Sequence, residues 1–117
     1  MGNPVVFFEI GCKDQGRTSD FYSKCFDWEI EQLPNSSQVQ TSEDGIHGHI
    51  TDAVTEIENY ITFYIQVDDV QSKLKTIEQL GGKTIVQPIN LPNGDTFAWF
   101  QDTAGNTVGL ISKHESL

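Results

Sequence analysis

The chain gives the same order of structural elements twice, and that internal repeat constrains its fold more than any single motif. The first pass runs as a strand at about 4–11, "PVVFFEIG", an acidic turn at Lys13-Asp14, and a helix near 16–26. Three short strands follow in "DWEIEQL", "SQVQTS" and "IHGHIT", the last two separated by the Glu43-Asp44-Gly45 turn. In the helix, Phe21, Tyr22, Cys25 and Phe26 recur at helical spacing and predict one apolar face. The second pass opens with "YITFYIQV" at 60–67, and Asp69 is placed to cap the next helix. Val70, Leu74, Ile77 and Leu80 form that helix's apolar stripe, and Gly81-Gly82 ends it. "KTIVQ", "TFAWFQD" and "TVGLIS" are the remaining strands, joined through turns at Asn93-Gly94 and Ala104-Gly105-Asn106. The unit is therefore β-α-β-β-β, repeated after about 55 residues, with "TDAVTEIEN" as connector. Neither unit has enough surface to bury alone, so the expectation is an α+β fold with one domain over 1–117. In it, module one (about 4–52) and module two (about 60–113) form curled mixed sheets with a central cleft and outer-face helices.

Alternation along the strands assigns two faces. Phe8, Ile10, Phe63, Ile65 and Val67 fall on the helix side, with Ala98, Phe100, Val108 and Leu110. The opposite face carries Val5, Phe7 and Glu9 in the first unit. In the second it carries Thr62, Tyr64, Gln66, Phe97, Trp99, Gln101, Thr107, Gly109 and Ile111. A solvent face would hold more Lys and Glu and fewer rings, so a concave, partly dry pocket is expected there.

Charge narrows the partners. Seven Lys and Arg against 17 Asp and Glu give a net charge of −10, which cannot build the positive stripe that phosphates require. Nucleic acid and anionic membrane surfaces are therefore not expected, whereas neutral or cationic small molecules are compatible. No apolar run reaches the roughly 18 residues that span a bilayer, and the start "MGNPVV" lacks a signal-peptide layout, so a cytoplasmic protein is expected. Cys12 and Cys25 belong to no CxxC motif and read as buried thiols.

The stretches "VVFFEIGCKD", "SDFYSKCFDWEI", "FYIQVDDVQSKLKTIEQLGGKTI" and "FAWFQDTAGNTVGLI" together resemble the vicinal-oxygen-chelate superfamily. That superfamily includes glyoxalase I, the bleomycin-resistance proteins, fosfomycin-resistance enzymes and extradiol dioxygenases. The first stretches match its strand–Asp–helix run, and the last its "F.DP.GN..EL" ending. Catalytic members place one metal ligand on the first and last strand of each module. Carried over one at a time, those positions hold Phe7, seven residues before Asp14, and Thr62, six before Asp68. The acid of the ending is replaced by Gly109, and the fourth position falls around His47 or His49. A phenyl ring and a bare glycine cannot ligate a divalent cation.

The resemblance thus implies a member without metal or other cofactor that binds or sequesters an apolar or cationic organic ligand in the sheet cleft, and it implies a homodimer. The expected ligand-binding residues are Phe7, Glu9, Thr62 and Tyr64, with Gln66, Phe97, Trp99 and Gly109. Trp28 adds a further ring, with core packing as its other role. No catalytic residue is assigned. The alternative is a metal-dependent lyase, isomerase or dioxygenase, lactoylglutathione-lyase-like, with a site rebuilt from Glu9, His47 and His49. Glu9, an acid inside an apolar strand, needs a partner, with Tyr64 and Gln66 as candidates. Its open roles are cation recognition, general base, or a structural hydrogen-bonding group, the last being favoured.

Overall fold

The computed structural model describes residues 2–34, 36–52 and 59–114. Most of the expected connector, residues 53–58, lies outside them. Ten elements follow in order: β1 (Val5–Gly11), α1 (Gln15–Phe26), β2 (Glu29–Gln32), β3 (Ser36–Gln40), β4 (Gly48–Thr51), β5 (Tyr60–Gln66), α2 (Val70–Gln79), β6 (Lys83–Asn90), β7 (Thr96–Gln101) and β8 (Thr107–Ser112). The fold is α+β, and the βαβββ unit occurs twice, as the repeat predicts. Contacts divide the chain into two units, Val6–Thr62 and, with the first residues through Val5, Phe63 onward.

In the first unit the strand order is β2-β3-β4-β1, with β1 parallel to β4 and the other pairs antiparallel. Asp14 caps α1 by accepting a hydrogen bond from the Arg17 amide at 3.1 Å. Asp27 ends the helix in the left-handed region at φ 59°, its amide bonded to the Ser23 carbonyl at 2.9 Å. The core is small: Ile10, Cys12, Val39 and Ile50, with Phe8, Tyr22, Trp28 and Ile30 packed against it.

The seat of α1 departs from its apolar spacing. Its buried residues are Gln15 and Ser19, while Phe21 and Phe26 are each 58% exposed and Cys25 is exposed. Of the four apolar positions, Tyr22 is the one that packs on the core. Hydrogen bonds set this register. Ser37 of β3, fully buried, donates to Gln15 Oε1 at 2.8 Å and accepts from the Ser19 hydroxyl at 3.1 Å. Gln15 Nε2 reaches the carbonyls of Leu33 and Pro34 at 3.3 and 3.2 Å. A helix held by polar groups at its first turns turns its later aromatic residues outward, so Cys25 is not the buried thiol expected; Cys12 is buried.

The second unit repeats the topology as β5-β8-β7-β6, with β5 parallel to β8. Here the seat is apolar. Val70 and Leu74 of α2, with Ile77 beside them, pack on Val67, Ala98, Phe100, Val108 and Leu110, the strand residues that alternation assigned to the helix side. Asp69 caps α2, accepting from the Ser72 amide at 3.2 Å. The helix stops at Gln79, one residue short of its expected stripe, so Leu80 is 74% exposed. Phe63, also assigned to the helix side, is 42% exposed. β6 runs beyond "KTIVQ" to Asn90, because Pro88 is tolerated in a strand at the end of the order and next to bulges. The β7–β8 turn closes on Asp102, whose carboxylate accepts from Asn106 Nδ2 and from the Asn106 and Ala104 amides at 2.8–2.9 Å. Among the described residues no helix is long and apolar enough to cross a membrane.

Two stability measurements follow. Replacing Ser37 with Ala leaves Gln15 and Ser19 without their buried partner, and urea denaturation is expected to show a loss of about 1–3 kcal/mol. The hydrogen bonds from Asn106, foremost its side chain, hold the Asp102 carboxyl below the ordinary aspartate range. A depressed folded pKa contributes stability above the unfolded value of about 4 and loses it as pH falls through the lower folded value. The stability gap between wild type and Asp102→Asn should therefore shrink as unfolding is measured from pH 5 down to pH 2.

Candidate functional site

On the first unit, parallel pairing of β1 with β4 sets Glu9 beside His49, and antiparallel pairing continues the row through Gln38 to Glu31. These four side chains share the face away from α1, because Ile10, Ile50, Val39 and Ile30 fill the other. Glu9 is 9% exposed and accepts a hydrogen bond from the Tyr60 hydroxyl at 2.6 Å, a short, charge-assisted contact. Gly11 makes room for it: a Cβ there would lie 2.0 Å from the Tyr60 ring. Phe7 is half-buried and meets the His49 ring edge-on, with centroids 5.2 Å apart and planes at 81°. Thr62 is buried. The sequence offered Tyr64 and Gln66 as partners of Glu9, whereas Tyr60, which opens β5, supplies the hydroxyl. A glycine two residues past the acid was the one available signal.

The rebuilt metal set does not assemble. His47 is exposed and precedes β4, because the Thr41 hydroxyl donates to the Ile46 carbonyl at 2.8 Å and keeps that stretch in a turn. Only His49 of the two histidines lies on the strand. Among the described residues no three His, Cys, Asp or Glu side chains form a group able to hold a metal.

On the second unit, Tyr64 and Trp99 are both register partners of Gly109, one on each side. Trp99 Nε1 donates to the Tyr64 hydroxyl at 2.7 Å, and both side chains are buried, at 1% and 4% exposure. The Tyr64 ring lies over Gly109 so closely that a Cβ there would be 2.5 Å from it. Phe97 is half-buried, its ring 6.4 Å from that of Tyr64 at 66°. Gln66 is half-buried, and its amide donates to the Pro4 carbonyl at 2.8 Å. Trp99 is thus a wall of this face rather than an open stacking surface. At the position where the resemblance calls for a carboxylate, the backbone is bare and the space beside it holds a phenol. With Phe7 at a second such position, these residues do not fit a resident divalent metal.

A family model described as "Glyoxalase/Bleomycin resistance protein/Dioxygenase superfamily" matches residues 5–110. The chain belongs to that superfamily. Its relatives include a glyoxylase-like domain-containing protein of Didymella fabae, 30% identical over 119 aligned positions that cover 90% of each chain. Among solved structures, this superfamily member is similar to a hypothetical protein of Bacillus halodurans at 14% identity and a TM-score of 0.71, covering 100% of this chain and 99% of that one. It is also similar to methylmalonyl-CoA epimerase of Mycobacterium tuberculosis at 8% identity and a TM-score of 0.68, covering 95% and 88%. At such identities the structural likeness speaks for the glyoxalase-superfamily fold alone.

Substituting Gly109 by Ala in this superfamily member should push the Tyr64 ring off its seat. The expected cost is about 1–3 kcal/mol, the range for overpacking a filled core, with a changed Trp99 emission on the same sample.

Proposed function

We propose that this superfamily member binds a small organic molecule, apolar or cationic, on the helix-free faces of its sheets, and that it does so without a resident metal. The observation that carries the reading is the Tyr64 ring lying over Gly109 and tied to Trp99, which supports an aromatic wall in place of a chelating acid. Phe7, His49 and Glu9 support the same reading on the other unit: an apolar edge, an imidazole and a carboxylate held by Tyr60 give a ligand both a surface and a charge partner. Glu9 in this reading recognises or orients, and the Tyr60 hydroxyl fixes the direction of its carboxylate.

Lyase, isomerase or dioxygenase chemistry by the superfamily's metal-assisted route has less support, since the residues at its positions are Phe7, Thr62 and Gly109. A coenzyme A ester, such as the methylmalonyl-CoA held in a further similar structure, a methylmalonyl-CoA epimerase complex at 14% identity, would bring several phosphates to a chain with 17 acids and seven bases. A cytoplasmic homodimer belongs to the same reading.

The test has two arms. Chelator-treated protein titrated calorimetrically with Zn²⁺, Ni²⁺, Mn²⁺ and Fe²⁺ is expected to give no binding in the micromolar range, and tight stoichiometric binding would overturn the metal-free part. Trp28→Phe protein, whose emission comes from Trp99, is expected to respond saturably to apolar or cationic aromatic probes and to lose affinity with Phe97→Ala. A face that ignores every such probe would overturn the binding part.

A further inference from the structure

Because the two units share one topology, each is a control for the other, and they differ most under their helices. In the second unit α2 lowers Val70, Leu74 and Ile77 onto a continuous apolar core. In the first, α1 is held at its start by Gln15, Ser19 and Ser37, and toward its end Tyr22 alone of its apolar residues reaches the core, beside Trp28 and Phe8. Over these residues lies a shallow, open groove of about 390 Å³.

The groove is built from rings and branched side chains. Phe8 and Ile10 of β1 line it, as do Tyr22 and Trp28, which stack with centroids 5.1 Å apart and planes at 6°. Phe26 packs against both rings from outside the lining, its centroid 6.1 Å from that of Tyr22 and 5.8 Å from that of Trp28. Ile46 and Ile61 also line it and are 50% and 73% exposed. The hydroxyl of Thr41, which also lines it, is engaged by the Ile46 carbonyl at 2.8 Å. Directional hydrogen bonds therefore contribute little here, and shape, ring faces and charge decide what enters.

The charged residues that flank the lining in sequence are acidic. Asp27 stands between Phe26 and Trp28, and the turn from Thr41 to Ile46 carries Glu43 and Asp44. Lys24, the base on this end of α1, is paired with Asp20 at 3.0 Å. Aromatic rings flanked by a helix end and a turn that carry acidic residues favour a flat, positively charged guest, attracted by the ring quadrupoles and by the negative charge together.

We propose that this groove, on the helix side of the first sheet and opposite Glu9 and His49, is a binding site for a planar aromatic cation. It stands apart from the open-face site and does not require it. The test uses full-length Trp99→Phe protein, in which Trp28 is the emitting residue, titrated at pH 8 with N-methylquinolinium, quinoline and 1-naphthoate. Expected is saturable quenching, with the cation binding about five-fold or more tighter than the neutral ring, as one cation–π contact gives, and the anion weakest. Ile61→Lys, at an exposed position where folding is undisturbed, should weaken the cation about ten-fold. Equal, non-saturating quenching by all three probes would overturn the proposal, as would saturable binding that Ile61→Lys leaves unchanged. An oligomer that Ile61→Lys dissociates, with no response to the cation, would assign the groove to a second copy and overturn it too. The Trp99 signal of Trp28→Phe protein reads the open face separately, so failure of either site leaves the other result standing.

Discussion

Each half of this protein rests on one constraint: its first and last strands are hydrogen-bonded in parallel. That pairing, β1 with β4 and β5 with β8, needs a crossover, and α1 and α2 begin the crossovers. It also fixes register, because side chains alternate and a slip of one residue would exchange the two faces. Glu9 stands beside His49, and Tyr64 beside Gly109, for this reason. The chemistry available to the open faces is thus decided by backbone pairing before any side chain adjusts.

From that common frame the halves diverge in how they seat a helix. One uses buried hydroxyl and amide groups, satisfied among themselves, and the other uses branched apolar side chains. Polar seats give direction and register, while apolar seats give contact area. The polar choice leaves Phe21 and Phe26 facing solvent, a surface that an apolar seat would have covered.

Much of this was legible in the sequence. The repeat, the capping residue Asp69, the Gly81-Gly82 helix end and, Phe63 apart, the helix-side strand residues follow from spacing and turn chemistry alone, and the structure bears them out. The seat of α1 was not legible, because Phe21, Tyr22, Cys25 and Phe26 satisfy helical spacing equally well on a buried or an exposed face. What decides between them is Ser37, eighteen residues beyond Ser19 and on another element. The partner of Glu9 was hidden for the same reason: Tyr60 lies 51 residues away, and no local rule points to it. Of the residues expected to bind ligand, the structure places Trp99 and Tyr64 in a buried hydrogen-bonded pair, which composition cannot distinguish from an open aromatic wall.

Both open faces contain a glycine overlaid by a tyrosine ring, Gly11 under Tyr60 and Gly109 under Tyr64. Such pairs make the order of genetic change matter. An acid cannot enter at 109 while the phenol occupies its volume, and the phenol cannot leave without removing the acceptor of a buried indole. Made one at a time, the two changes that would turn this surface into a chelating one each disturb the other's seat. The pairing couples the identity of residue 109 to that of residue 64.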